Sequence, residues 1–190
     1  PGSISEQTID IEFATPESSP AITELNEEKL ISLYPEPFTL MRRSSFSLQN
    51  LKNRPLPGFS VQTPTGKRFS RLKGDPFAST TLLAIINPEA SFAKKFVAEL
   101  RSAAQSSPVP LNIIMAFTSN NAYVIEDIAG TSLSGETILQ SARALARDLG
   151  AAELPALLIV NPDGIVKDII VGYNNGLSSS VIQKIALINN

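Results

Sequence analysis

The nine residues 87–95 read NPEASFAKK and follow an apolar run, TTLLAII, at 80–86. They open a helical pattern whose first turn carries two small residues, Ala90 and Ala93, with two residues between them. Around them the side chains able to do chemistry are few. The chain has no cysteine and no histidine. A Ser-His-Asp or Cys-His nucleophile cannot be assembled. Soft and borderline metals lose their best ligands, so no metal is expected. No motif asks for a cofactor, and none is expected.

Other candidates have a plainer structural meaning. Ser91 has no imidazole to activate it and reads as a cap or surface residue. Lys94 and Lys95 fit the solvated face of a helix; their functional reading is attraction of a substrate or tuning of a neighbouring group. Glu126 and Asp127 are adjacent acids in a loop, with no second pair converging on them in sequence. Arg42-Arg43-Ser44-Ser45 reads as a solvated charged loop rather than a kinase site. Gly172-Tyr173-Asn174-Asn175-Gly176 bears glycines but lacks the lysine of a phosphate loop. Phe117 and Tyr123 suit core and rim better than a base-stacking platform.

The 190 residues suit one domain with an arm, and 43% hydrophobic content is enough for a sizeable core. A net charge of −2 with no basic patch argues against nucleic acid. The longest apolar runs have strand length, far short of the ~20 residues of a membrane span. With no thiol, the redox compartment leaves no trace. Residues 1–3, PGS, look like a cloning scar. The expectation leaves room for a signal or membrane anchor upstream of them.

The elements that must position the 87–95 stretch follow from patterning. Residues 4–55, with TPESSP, YPEP and KNRPLP, form an N-terminal extension. It includes a short strand at TIDIEF (8–13) and a short helix at 22–34. From Leu56 to Asn190 the pattern is that of a domain. FSVQTPTGKRFSRL (59–72) is a hairpin turning at Thr63-Pro64-Thr65-Gly66. TTLLAII has the β-branched, unbroken character of a strand buried on both faces. A helix over 89–105 carries Phe92, Phe96, Val97, Leu100 and Ala104 on one face. PLNIIMAF (110–117) is a second buried strand, parallel to the first. A second helix spans about 135–149, with Ile138, Leu139, Ala142, Leu145, Ala146 and Leu149 as its stripe and Gly150 as C-cap. LPALLIVNPDGIVKDIIVGY (154–173) is another hairpin. A last helix over 177–188 is N-capped by Ser178 to Ser180.

This order resembles the thioredoxin fold, an α/β architecture with a central mixed sheet flanked by helices, and within it the redoxin branch (TlpA/ResA-like and AhpC/TSA-like proteins). LPGFSVQTPTGKRFSRLKG resembles that branch's opening hairpin. TTLLAIINPEASFAKKFVAEL resembles its strand, active-site loop and first helix. GAAELPALLIVNPDGIVKDIIVGY resembles the segment holding its cis-proline, here Pro155. The resemblance covers about residues 56–188. It implies that Ala90 and Ala93 stand where the family has its two catalytic cysteines. It also implies a substrate-binding groove from Glu89, Ser91, Phe92, Leu154 and Pro155, beside the Gly172 loop. The family exchanges thiols and disulfides with protein substrates through a thiolate stabilised at a helix start. Glu89 departs from the aromatic that often precedes the first cysteine. Leu154 replaces the usual Thr, Val or Ile. The peroxidase branch keeps a threonine that is not at its expected place here.

Two readings of the alanines stay open. In one, a thiol-disulfide oxidoreductase has had both cysteines replaced by design, leaving a redox-inactive form. In the other, a naturally cysteine-free thioredoxin-like module binds proteins. Alanine at both positions by chance has a frequency on the order of one per cent, which favours replacement. A helix that is alanine-rich anyway needs neither. Either way the expected partner is a protein or peptide, and family analogy implies an extracytoplasmic or periplasmic location.

Overall fold

A computed structural model describes residues 47–188. The predicted strand at 8–13 and helix at 22–34 lie outside the described residues. The described part belongs to one compact unit, Ser44–Asn190.

A two-stranded antiparallel ribbon, β1 (Phe59–Gln62) and β2 (Arg68–Arg71), opens the domain. Gly66 closes its turn with φ 79°, a value that side-chain-bearing residues rarely adopt. The main sheet has five strands in the order β5-β4-β3-β6-β7. They are β3 (Thr80–Ile86), β4 (Leu111–Phe117), β5 (Glu136–Leu139), β6 (Ala156–Val160) and β7 (Val166–Val171). β3, β4 and β5 run parallel; β6 and β7 are antiparallel to their neighbours. The helices are α1 (Ala93–Ser106), α2 (Ala122–Ala129), α3 (Arg143–Asp148) and α4 (Leu177–Ile188). This is the mixed sheet flanked by helices that the sequence predicts.

Every residue of β3 and β6 is buried, which explains their unbroken apolar runs. Alternate residues feed two cores. Leu83, Ile85, Leu158 and Val160 pack with Leu145 and Leu149 on one face. Leu82, Ile86, Leu157 and Ile159 pack with Phe96, Leu100, Val181 and Ile185 on the other. Residues 47–55 join the first core. A short 3-10 helix, Leu48–Leu51, buries Leu48 and Leu51, and the Asn53 N–H donates to the Val166 carbonyl.

Two elements differ from expectation. The stripe predicted as one helix over 135–149 divides into β5 and α3. Glu136 accepts a two-pronged hydrogen bond from Arg101 of α1 at 2.8 and 2.8 Å. Parallel pairing with β4 then takes up one side of the β5 backbone. Ser141, at φ 59°, turns the chain into α3. The stripe residues Leu139, Ala142, Leu145, Ala146 and Leu149 are buried all the same, which is why helical spacing imitated them. Second, Glu126 and Asp127 sit on a helix, α2, rather than in a loop. Asn121 caps it by accepting from the Tyr123 and Val124 N–H groups.

Candidate functional site

The site is assembled at the end of the sheet where β3 and β4 finish and β6 begins. Ile85 pairs with Ala156, so Leu154 and Pro155 fall beside the residues that follow β3. Ala156 pairs with Val171, and the Gly172 N–H donates to the Pro155 carbonyl at 2.8 Å. The β3–α1 loop, the Leu154–Pro155 step and the Gly172 loop therefore meet at one edge. The Leu154–Pro155 peptide is cis.

α1 begins later than its apolar period implies. Asn87 starts a turn, accepting the Glu89 N–H on its side chain and the Ala90 N–H on its carbonyl. The Ala93 N–H then donates to the Ala90 carbonyl at 2.9 Å. Helix proper starts at Ala93, with Phe92 as an N-cap that makes no side-chain cap bond. Ala90 consequently sits in the turn before the helix and is half-buried, whereas Ala93 is fully buried. A side chain at 90 borders solvent; one at 93 enters the core.

The residues around these two positions divide into two groups. Phe92 stacks on Tyr173, with ring centroids 5.6 Å apart, and Phe96 meets the same ring edge-on. The Tyr173 hydroxyl donates to Glu99 at 2.8 Å, and the other Glu99 oxygen accepts the Ser178 N–H at 3.0 Å. The start of α4 is thus capped from α1 rather than by Ser178 to Ser180 as expected. Burial alone would raise the Glu99 carboxyl. The Ser178 N–H, the Tyr173 hydroxyl and the Leu177 and Gly176 N–H groups outweigh it and hold the carboxyl below its ordinary range. The Tyr173 hydroxyl is pushed up, first by its bond to that carboxylate.

On the opposite side lies an open cleft of about 600 Å³. Glu89 and Leu154 line it, together with Asn87, Thr118, Arg143 and Arg147. A second cleft of about 400 Å³ shares Glu89, Thr118 and Arg143 with it. Of the predicted groove residues, then, Glu89 and Leu154 share one cavity. Phe92 belongs to the aromatic cluster, Pro155 is buried, and Ser91 is exposed. Lys94 is engaged by Asp127 of α2 at 2.9 Å. Arg143 and Arg147 were not foreseen, because they fall off the apolar stripe of what the periodicity made one longer helix. Their spacing of four residues was the available signal. Among the described residues no group of three or more acidic side chains could hold a metal ion, and no helix is long and apolar enough to cross a membrane.

No protein-family model and no curated protein matches the sequence. Solved structures do match the architecture. A Chlorobium tepidum protein assigned as the thiol:disulfide interchange protein DsbE superimposes with a TM-score of 0.60 at 13% identity, covering 73% of this chain and 98% of that one. A protein of Neisseria meningitidis assigned as a thioredoxin gives 0.55 at 16% identity, with 69% and 87% covered. A secreted disulfide oxidoreductase of Mycobacterium tuberculosis, homologous to DsbE of Escherichia coli, gives 0.54 at 14%, with 68% and 95% covered. The chain has the thioredoxin fold.

Proposed function

We propose that this chain descends from thiol-disulfide oxidoreductases, that Ala90 and Ala93 stand where cysteines stood, and that it retains a groove for an extended polypeptide. The observation that carries this is the placement of the two alanines. One borders solvent in the turn before α1, the other is buried in its first turn, and the residues preceding Ala90 and Pro155 line one cleft. A nucleophile with a partner behind it fits that pair of environments. Exchange requires a thiolate, and the sequence has none, so this form is redox-inactive and its remaining activity is binding. Leu154, half-buried and outside any strand, offers its backbone to a bound chain. An extracytoplasmic setting belongs to the same proposal; the similar Mycobacterium tuberculosis protein is a secreted one.

The test is the double variant Ala90→Cys/Ala93→Cys, assayed for reduction of insulin disulfides and titrated against glutathione. A dithiol that exchanges, with the thiol at 90 the more reactive toward iodoacetamide, is the expected result. A folded variant that neither exchanges nor reacts preferentially at 90 would sink the lineage and leave a cysteine-free binding module.

A further inference from the structure

We propose that the cleft beside Leu154 takes an acidic polypeptide segment, with Arg143 and Arg147 reading its carboxylates. The inference rests on the groove reading above and adds the chemistry of the partner. Arg143 lines both clefts and, among the described residues, makes no ion pair. Among the described residues Arg147 pairs only with its chain neighbour Asp148, at 3.0 Å, and both are well exposed. Such a pair is held weakly and yields readily to a better partner. One turn apart on α3, the two arginines put two guanidinium forks along the same wall. Each matches a carboxylate with two parallel hydrogen bonds. Among the described residues lining the clefts the one carboxylate is Glu89, on the loop after β3, so the described lining carries two positive charges against one negative.

The dimensions favour a chain over a small anion. The two clefts share Glu89, Thr118 and Arg143 and so run together along the end of the sheet. At about 600 and about 400 Å³ they hold several side chains, whereas a lone carboxylate or phosphate would leave most of the space to water. Gly150, Ala151 and Ala152 keep the wall beneath Arg147 low, leaving room for a backbone to pass.

The experiment uses the full chain and three fluorescein-labelled peptides of about ten residues, acetylated and amidated, in which Ala alternates with Glu, Gln or Lys. Binding is followed by fluorescence anisotropy. The Glu peptide is expected to bind about tenfold more tightly than the Gln peptide in about 0.02 M salt. That preference should shrink sharply in about 0.5 M salt. Arg143→Gln/Arg147→Gln should bring the Glu and Gln peptides within about threefold of each other by removing the charged donors. Lys67→Gln, in the β1–β2 turn, should leave the preference intact. Equal binding of the Glu and Gln peptides would overturn the acidic selectivity while leaving a peptide groove in place. Displacement of the Glu peptide by free succinate at the peptide's own concentration would mark a small-anion site and overturn it too. Failure of all three peptides to bind would remove the groove together with the selectivity.

Discussion

The first turn of α1 has two flanks built on opposite principles. On one, Phe92, Phe96 and Tyr173 interlock, and Glu99 receives both the Tyr173 hydroxyl and the Ser178 N–H. On the other, Glu89, Arg143 and Leu154 face an open cleft, and Arg143 has no ion-pair partner among the described residues. The satisfied flank welds α1 to α4 and fixes where Ala90 and Ala93 stand. The unsatisfied flank keeps charge and space in reserve. A binding surface must forgo internal pairing to have something left for a partner, so stability and recognition are expected to separate along this line.

The sharpest way to break the comparison is to put the same charge on each alanine. Ala93→Asp buries a carboxylate among the apolar residues packed with Phe96 and Leu100, and should cost more than about 3 kcal/mol. Ala90→Asp leaves the carboxylate bordering solvent and should cost under about 1 kcal/mol. Urea unfolding of both variants measures the gap. Equal losses would mean that the two positions do not differ in burial as described.

Gly172 lies on the seam between the flanks, at φ 78°, and a Cβ there would come within 3.2 Å of Glu153 Oε1. Gly172→Ala should cost about 1–2 kcal/mol from the left-handed backbone. The Glu153 side chain is exposed and able to swing aside. Adding Glu153→Ala therefore separates strain from collision: the loss should persist if the backbone is its source.

Glu99 tests the closed flank by pH. Its folded pKa lies below the ordinary value of 4.5. Its contribution is therefore fully present above that value and lost as pH falls through the folded one. Glu99→Gln should be less stable than the parent by about 1 kcal/mol at neutral pH, the size of a helix cap. The two should converge as the solution is acidified below about pH 4. Glu136 and Asp168 are also held low, by Arg101 and by Lys184 with Lys52 against the opposing effect of burial. The difference between variant and parent, and not either curve alone, reports on Glu99. A gap that stays constant to pH 2 would assign the loss to packing.

Much of this arrangement was legible in the sequence because it depends on local signals. TTLLAII and PALLIV are apolar on both faces and could only be central strands. Gly66 marked its turn, and α1 declared itself through Phe96, Val97 and Leu100. The boundary at 135–142 was not legible. Ile138 and Leu139 continue the helical spacing of Ala142, Leu145 and Leu149, and only the distant Arg101 and the free edge of β4 make 136–139 a strand. α2 was missed for a different reason. Its signals were present, with Asn121 as cap, Ile125 and Ala129 buried one turn apart, and Gly130 at φ 58° closing it. Eight residues beside two acids read more readily as loop. The site divided in the same way. Ala90, Ala93, Leu154 and Pro155 were named only through the resemblance to the redoxin branch, whereas Arg143 and Arg147, which line the cleft with Leu154, come from α3, whose position depends on the strand that was not seen.

The smallest expected effect decides what those arginines are for. Arg143→Gln should change unfolding free energy by less than about 0.5 kcal/mol, since no internal partner among the described residues is lost. Arg147→Gln should do the same, because its pairing with exposed Asp148 is worth little. A loss above about 1 kcal/mol from either, measured by urea denaturation at neutral pH, would place that arginine among the groups holding α3 to the sheet. The open flank would then be a second scaffold rather than a reserve. With stability unchanged, any effect of these substitutions on peptide binding comes from the lost charge alone, because the fold that presents the cleft is the same.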